Sequence, residues 1–434
     1  MTEKMEDSDI EDSENGPKIY LPGRPLKKDE LLVHDPSAYL MLHEAQTGAP
    51  CLSFDIIPDG DGNNRTEFPL TVYLVAGTQA ETPNGNSIIV MKVSNLVKTF
   101  KEADDDSESS DDDSDSEDEN FIAKLPKMES ALARHRGTIN RLRTTVANGS
   151  VLAAVWSEFG RVSIVDLKQQ LQTITDPSVP SVKKKKKKKK NVGEPVDPLQ
   201  VFTGHSDEGY GLDWSPVAKG VLASGDCKSD IFVWHPAEAG WNITSSPLSG
   251  HTDSVEDLQW SPNEANVLAS CSVDRTIRIW DTREHGSTAC KLTVKEAHKS
   301  DINVISWNRR EPFIVSGGDD GFLNIWDLRN FESNNPVAIL KHHSKSVTTV
   351  EWSPHESSIF ASGGEDDQIA LWDLAVERDD DPNMDPQLKG LPPQLLFIHQ
   401  GQNDIKELHW HAQVPGLVIS TANSGLNFFK TISV

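Results

Sequence analysis

G-H-T-D-S-V-E-D-L-Q-W-S-P-N-E-A-N-V-L-A-S-C-S-V-D-R-T-I-R-I-W-D, residues 250–281, is the stretch on which the fold turns. It holds three short runs rich in β-branched and apolar residues, V-E-D-L-Q-W, V-L-A-S-C-S and T-I-R-I-W-D, which read as strands. Ser261-Pro262-Asn263 and Val273-Asp274-Arg275 separate them and supply the turns. His251, Asp274 and Trp280 can join by side-chain hydrogen bonds, carboxylate to imidazole and imidazole toward indole. Such a network ties turn to strand, because buried polar groups are costly unless paired.

The unit is written four times. His205, His251, His298 and His343 open it at intervals of 46, 47 and 45 residues, and Trp214, Trp260, Trp307 and Trp352 follow each His by nine. Trp234-His235, Trp280-Asp281, Trp326-Asp327 and Trp372-Asp373 close it, with 46 residues between successive Trp. A G-H opening, a W-D close and a period of about 40–45 residues mark the WD repeat, one four-stranded propeller blade. Asp320 and Asp366 match Asp274 in place, whereas the first unit has Lys228 there, so its network must be broken or rebuilt. The His and Asp residues are therefore read as structural rather than catalytic.

Degenerate blades flank the four clear units. Strands over Cys51–Ile57, Phe68–Gly77 and Ser87–Val93 make a first, and Ile139–Val146, Val151–Ser157 and Gly160–Leu167 a second. After the clear units, Gln402 stands for the opening His, Trp410 keeps the strand Trp, and Phe428-Phe429 replaces the close. The expected fold is all-β: a seven-bladed WD-repeat β-propeller over residues 50–434, closed by a strand near the N-terminus that leaves no open edge.

Composition narrows the function. A net charge of −25 makes a basic protein a more natural partner than naked nucleic acid. The four Cys (Cys51, Cys227, Cys271, Cys290) have no metal or redox spacing and read as reduced thiols. No apolar run approaches a membrane span, and the acidic start is the opposite of a signal peptide, so a soluble intracellular protein is expected. Nucleophile-elbow, P-loop and H-E-x-x-H spacings are missing, so no enzyme activity, metal, cofactor or small-molecule substrate is expected.

Outside the blades, residues 1–18 read as a disordered acidic tail and 19–49 as a segment carrying one helix. That helix is placed over Asp35–Gln46, with Asp35 as N-cap, Pro36 in the first turn, Gly48 at the end, and Ala38, Met41, Leu42 and Ala45 on one face. Three charged inserts, expected to be disordered, interrupt the propeller. Residues 102–119 hold twelve acidic residues and five Ser, among them Asp104, Asp105, Asp106, Asp111, Asp112 and Asp113. Residues 178–198 contain eight consecutive Lys, of which Lys183, Lys184, Lys185 and Lys186 begin a nuclear address. Residues 377–393 form an acidic loop with Asp379, Asp380, Asp381 and Asp385. A flexible polyanion can stand in for a nucleic-acid backbone toward a basic protein, with an affinity that salt weakens.

Several stretches are more specific than a generic unit. Tyr20–Arg24 (Y-L-P-G-R), Gln46–Ile56 (Q-T-G-A-P-C-L-S-F-D-I), Asn64–Glu81, His251–Pro262, Asp301–Phe313 and Phe428–Val434 (F-F-K-T-I-S-V) resemble the glutamate-rich WD-repeat proteins. The resemblance implies a nucleolar factor for large-subunit ribosome assembly that escorts a very basic ribosomal protein. Pre-ribosomal particles are further partners, and core histones a second cargo. The chain is also similar to histone-chaperone propellers, in which an N-terminal helix and an acidic loop before the last blade form a side groove. That similarity puts cargo contacts at Tyr39, Leu40, Leu42, His43, Asp379, Asp380, Asp381 and Asp385. The tract here is rich in Asp and Ser rather than Glu, a departure from the family's name. Another reading is a substrate receptor of a cullin-type ubiquitin ligase, since W-D-x-R at blade ends places Arg283 and Arg329 as adaptor contacts. The expected address is nucleus and nucleolus.

Overall fold

A computed structural model describes residues 34–99, 125–176, 193–377 and 390–434. The expected acidic tail, the 102–119 insert, the Lys run and the acidic residues Asp379–Asp385 lie outside the described residues. Seven antiparallel sheets follow one another, six of four strands and one of five. Seven apolar clusters pack between neighbouring sheets; one joins Val255, Leu258 and Trp280 of the fourth blade to Ala223, Ile231 and Val233 of the third. Each blade is thus hydrophobic on both faces, which is why its strands read as near-continuous apolar runs.

The ring closes in the last blade, whose strand order is Tyr39–Ala45, Gly425–Thr431, Leu417–Ala422, Ile405–Trp410. Tyr39 pairs with Thr431 and Ala45 with Leu426, so a strand from the start of the chain completes the sheet made at its end. The helix expected over Asp35–Gln46 is therefore corrected to a three-residue 3-10 turn, Pro36–Ala38, followed by a strand. The propeller begins at Tyr39 rather than residue 50. A bulge explains the misreading: the register shifts between Tyr39 and Met41. The apolar set that looked like one helical face divides between two interfaces. Ala38, Tyr39 and Leu42 pack toward the sixth blade, and Met41 and Ala45 toward the first.

Sequence reading also missed a helix, Lys168–Thr175, between the last two strands of the second blade. It docks Ile174 and Leu171 on the interface between the first and second blades. Downstream, Glu194–Pro195 adds a short parallel strand to the outer strand Lys127–Arg134 of the first blade.

Candidate functional site

The opening His of each clear unit is fully committed. His251 Nδ1 donates to Asp274 (2.8 Å), Ser270 Oγ donates to His251 Nε2 (2.6 Å), and Trp280 Nε1 donates to Ser270 Oγ (2.8 Å). His298–Asp320–Ser316–Trp326 and His343–Asp366–Ser362–Trp372 repeat the chain of contacts. Burial pulls the His251 imidazole below its ordinary pKa, even against Asp274. Burial alone would raise Asp274, but the bond from His251 and its turn hydrogen bonds hold the carboxyl low. A neutral, buried imidazole with both nitrogens occupied is a strut, as read from the sequence. In the first unit Asp226, not Lys228, closes the network: it accepts from His205 Nδ1 (3.0 Å), while Ser224 bridges to Trp234. The serine was invisible to sequence reasoning because it sits within an apolar strand.

The innermost strands line the central channel and carry a charged cluster that sequence reading also missed. Glu407 of the last blade accepts from Arg141 Nη1 (2.8 Å) and Arg143 Nη2 (2.7 Å) of the second. It also accepts from the Phe54 backbone N–H (2.7 Å) of the first. His409 Nδ1 donates to Glu351 (2.8 Å) and its Nε2 stands 3.7 Å from Glu407. Burial would lower His409, but Glu351 and Glu407 push it up to about 10. Asp213 and Asp257 each accept a backbone N–H from the next blade, Trp260 at 2.7 Å and Ile305 at 3.1 Å. Burial pushes Asp213 up to about 7. These groups stitch blade to blade and leave little free chemistry.

The rim between the sixth and seventh blades is where the expected cargo residues fall. Tyr39 and Leu42 are core residues at 2% and 9% exposure, so direct cargo contact is corrected for both. Asn427 Nδ2 donates to His399 Nε2 (3.2 Å), leaving His399 Nδ1 to donate to the Tyr39 hydroxyl (2.8 Å); Phe397 packs edge-on against the Tyr39 ring. Leu40 and His43 remain half-buried. Thr99 N donates to Leu40 O (3.0 Å), Leu42 N donates to Thr99 Oγ1 (2.6 Å), and His43 Nε2 donates to Val97 O (2.8 Å). Thus Val97–Thr99, which leads into the 102–119 insert, lies along the strand's free edge. Leu395–His399, which follows the acidic loop, packs on the same strand from the sixth blade. One strand anchors the stems of two acidic inserts.

Arg283 and Arg329 are exposed at 71% and 68%, but each folds back on its own W-D carboxylate, Nη2 to Asp281 and to Asp327 at 2.7 Å. That bond holds Asp281 down to about 2. Among the described residues no group of three or more His, Cys, Asp or Glu could hold a metal ion. No described helix is long and apolar enough to cross a membrane.

Residues 29–97 match the family model for the histone-binding protein RBBP4, also described as a component of the CAF1 complex. Residues 242–281, 289–327 and 334–373 match the WD domain, G-beta repeat. The chain is 42% identical to the protein HEAT STRESS TOLERANT DWD 1 of Arabidopsis thaliana, over 96% of this chain and 92% of the relative. It is 42% identical to ribosome assembly protein rrb1 of Schizosaccharomyces pombe, over 99% and 88%. Glutamate-rich WD repeat-containing protein 1 of Dictyostelium discoideum matches at 42%, over 96% and 86%.

Proposed function

This chain belongs to the family of glutamate-rich WD-repeat and ribosome assembly proteins, and on that premise we propose that it is an acidic binding chaperone for a basic protein of the large ribosomal subunit. The observation that carries the reading is the anchoring of both acidic stems on one strand, Tyr39–Ala45. Asp379, Asp380, Asp381 and Asp385 are thereby tethered beside the twelve carboxylates of Glu102–Glu119. A newly made ribosomal protein carries dense positive charge and sticks to nucleic acid unless that charge is screened. Apolar contacts at the rim supply specificity, and the acidic segments supply screening that salt weakens.

Histones are a second cargo, favoured by the family-model match over residues 29–97. The role is binding without catalysis, which the fully paired His–Asp struts support. Lys183–Lys190 supplies a nuclear and nucleolar address by its charge density. The ligase-receptor reading stays open as a secondary activity, and an adaptor would first have to break the Arg283–Asp281 and Arg329–Asp327 pairs.

The test is to capture the tagged chain from nuclear extract at low and at physiological salt and identify what co-purifies. A large-subunit ribosomal protein retained at both salts is the expected result. Enrichment of acidic or uncharged proteins alone, with no basic cargo, would refute it.

A further inference from the structure

A second surface carries the opposite charge. Between the first and second blades lies a groove of about 420 Å³, a volume within the range of ligand pockets. Ile88, Val165, Val196 and Val201 line its walls, and Arg134, Arg136 and Arg161 stand at its mouth. Arg65, Arg141, Arg143, Arg283 and Arg329 each hold a carboxylate. The three groove arginines have no such partner among the described residues and are exposed. The nearby Glu158 is engaged by the Thr138 backbone N–H (2.8 Å).

Phe159 is held in the groove wall although it is 46% exposed. Gly137, at φ +91, lets its ring lie against the backbone, where any Cβ would come within 2.6 Å of the ring. The Arg136 guanidinium covers the ring, 5.5 Å from its centroid. Three unpaired cations in a chain of net charge −25, set around an apolar floor, are a built complement to an anion with a greasy centre.

We propose that this groove docks a short acidic peptide bearing one bulky apolar side chain, at a site separate from the cargo rim. The apolar side chain fills the space between Phe159 and Val201, and flanking carboxylates pair with Arg134, Arg136 and Arg161. Two features favour peptide over RNA. Phe159 is the one phenyl ring in the groove wall among the described residues, and Arg136 already covers its face, so bases lack a good stacking platform. A long polyanion also meets the repulsive field of the whole protein, whereas a few carboxylates meet mainly the local cations.

The test is fluorescence anisotropy on the full chain with a labelled twelve-residue Asp/Glu peptide carrying one central Phe. The expected Kd is on the order of 10–100 µM at about 0.1 M salt. Arg134→Glu/Arg136→Glu/Arg161→Glu should weaken binding at least about tenfold, and Phe159→Ser about fivefold. All four residues are exposed, and unchanged near-ultraviolet circular dichroism confirms that the variants fold. Equal binding of a peptide with Ser in place of Phe would reduce the groove to a plain anion patch and overturn the proposal. Tighter binding of oligouridine at the same arginines, binding that appears only after deletion of Glu102–Glu119, or variants that bind like the parent would each overturn it as well.

Discussion

Replacing Glu407 with Gln tests whether the channel cluster holds the ring together. The carboxylate is buried, with its side chain only 2% exposed, and it joins the last blade to the second through Arg141 and Arg143. Gln keeps the shape but leaves two guanidinium groups and the charged His409 without their counter-charge. Breaking a buried ion pair from one side costs roughly 3–5 kcal/mol. The arginine side chains keep 14% and 13% exposure, so water screens part of the loss and the lower end, about 3 kcal/mol, is expected. Urea unfolding followed by Trp fluorescence and far-ultraviolet circular dichroism reads this directly, provided the two transitions coincide. The cluster also sets a pH window. His409 is raised to about 10 when folded, so its contribution is full below about 6.5 and fades as pH rises through 10. Burial opposes ionisation of Glu407, but Arg143, His409 and Arg141 hold it well below its usual range. Its contribution is therefore full above about 4.5 and fades in acid. Stability from this cluster should peak between those limits and flatten in the Gln variant. A loss under about 1 kcal/mol with an unchanged pH profile would show the cluster to be incidental.

Met41→Asp places a charge in the closure interface and should cost about 3 kcal/mol or more, with faster amide exchange over Gly425–Thr431 before the other blades open. Ser270→Ala strands His251 Nε2 and Trp280 Nε1 and should cost about 1–3 kcal/mol in urea unfolding. Changing Lys183–Lys190 to Gln should move the protein out of the nucleus or nucleolus, as read by fluorescence imaging of a tagged chain.

The blade count was legible because His251, Asp274 and Trp280 recur at a fixed period, and periodicity survives the loss of individual letters. Local pattern failed where tertiary context overrode it. At Tyr39–Ala45 a bulge placed apolar residues at helical spacing on a strand buried on both faces. At Lys168–Thr175 the helix carries only Leu171 and Ile174 as apolar residues and has no side-chain cap, so no amphipathic signal stood out. Arg141 and Glu407 are 266 residues apart, and their pairing depends on ring closure, which no local window contains. The cargo rim was half legible. The sequence pointed to the right strand, but Tyr39 and Leu42 turn inward and Val97–Thr99 covers the edge.

The central claim is that docking at the rim and screening by the acidic segments are two separable contributions. The decisive measurement is the salt dependence of affinity for a purified basic large-subunit ribosomal protein, compared among the parent chain, a deletion of Glu102–Glu119, and Asp379→Lys/Asp380→Lys/Asp381→Lys. The deletion should weaken binding mainly at low ionic strength and reduce the slope of log affinity against log salt. The triple reversal should weaken binding at both low and physiological salt. Identical salt profiles for the two variants would contradict the account and leave a single diffuse polyanion in its place.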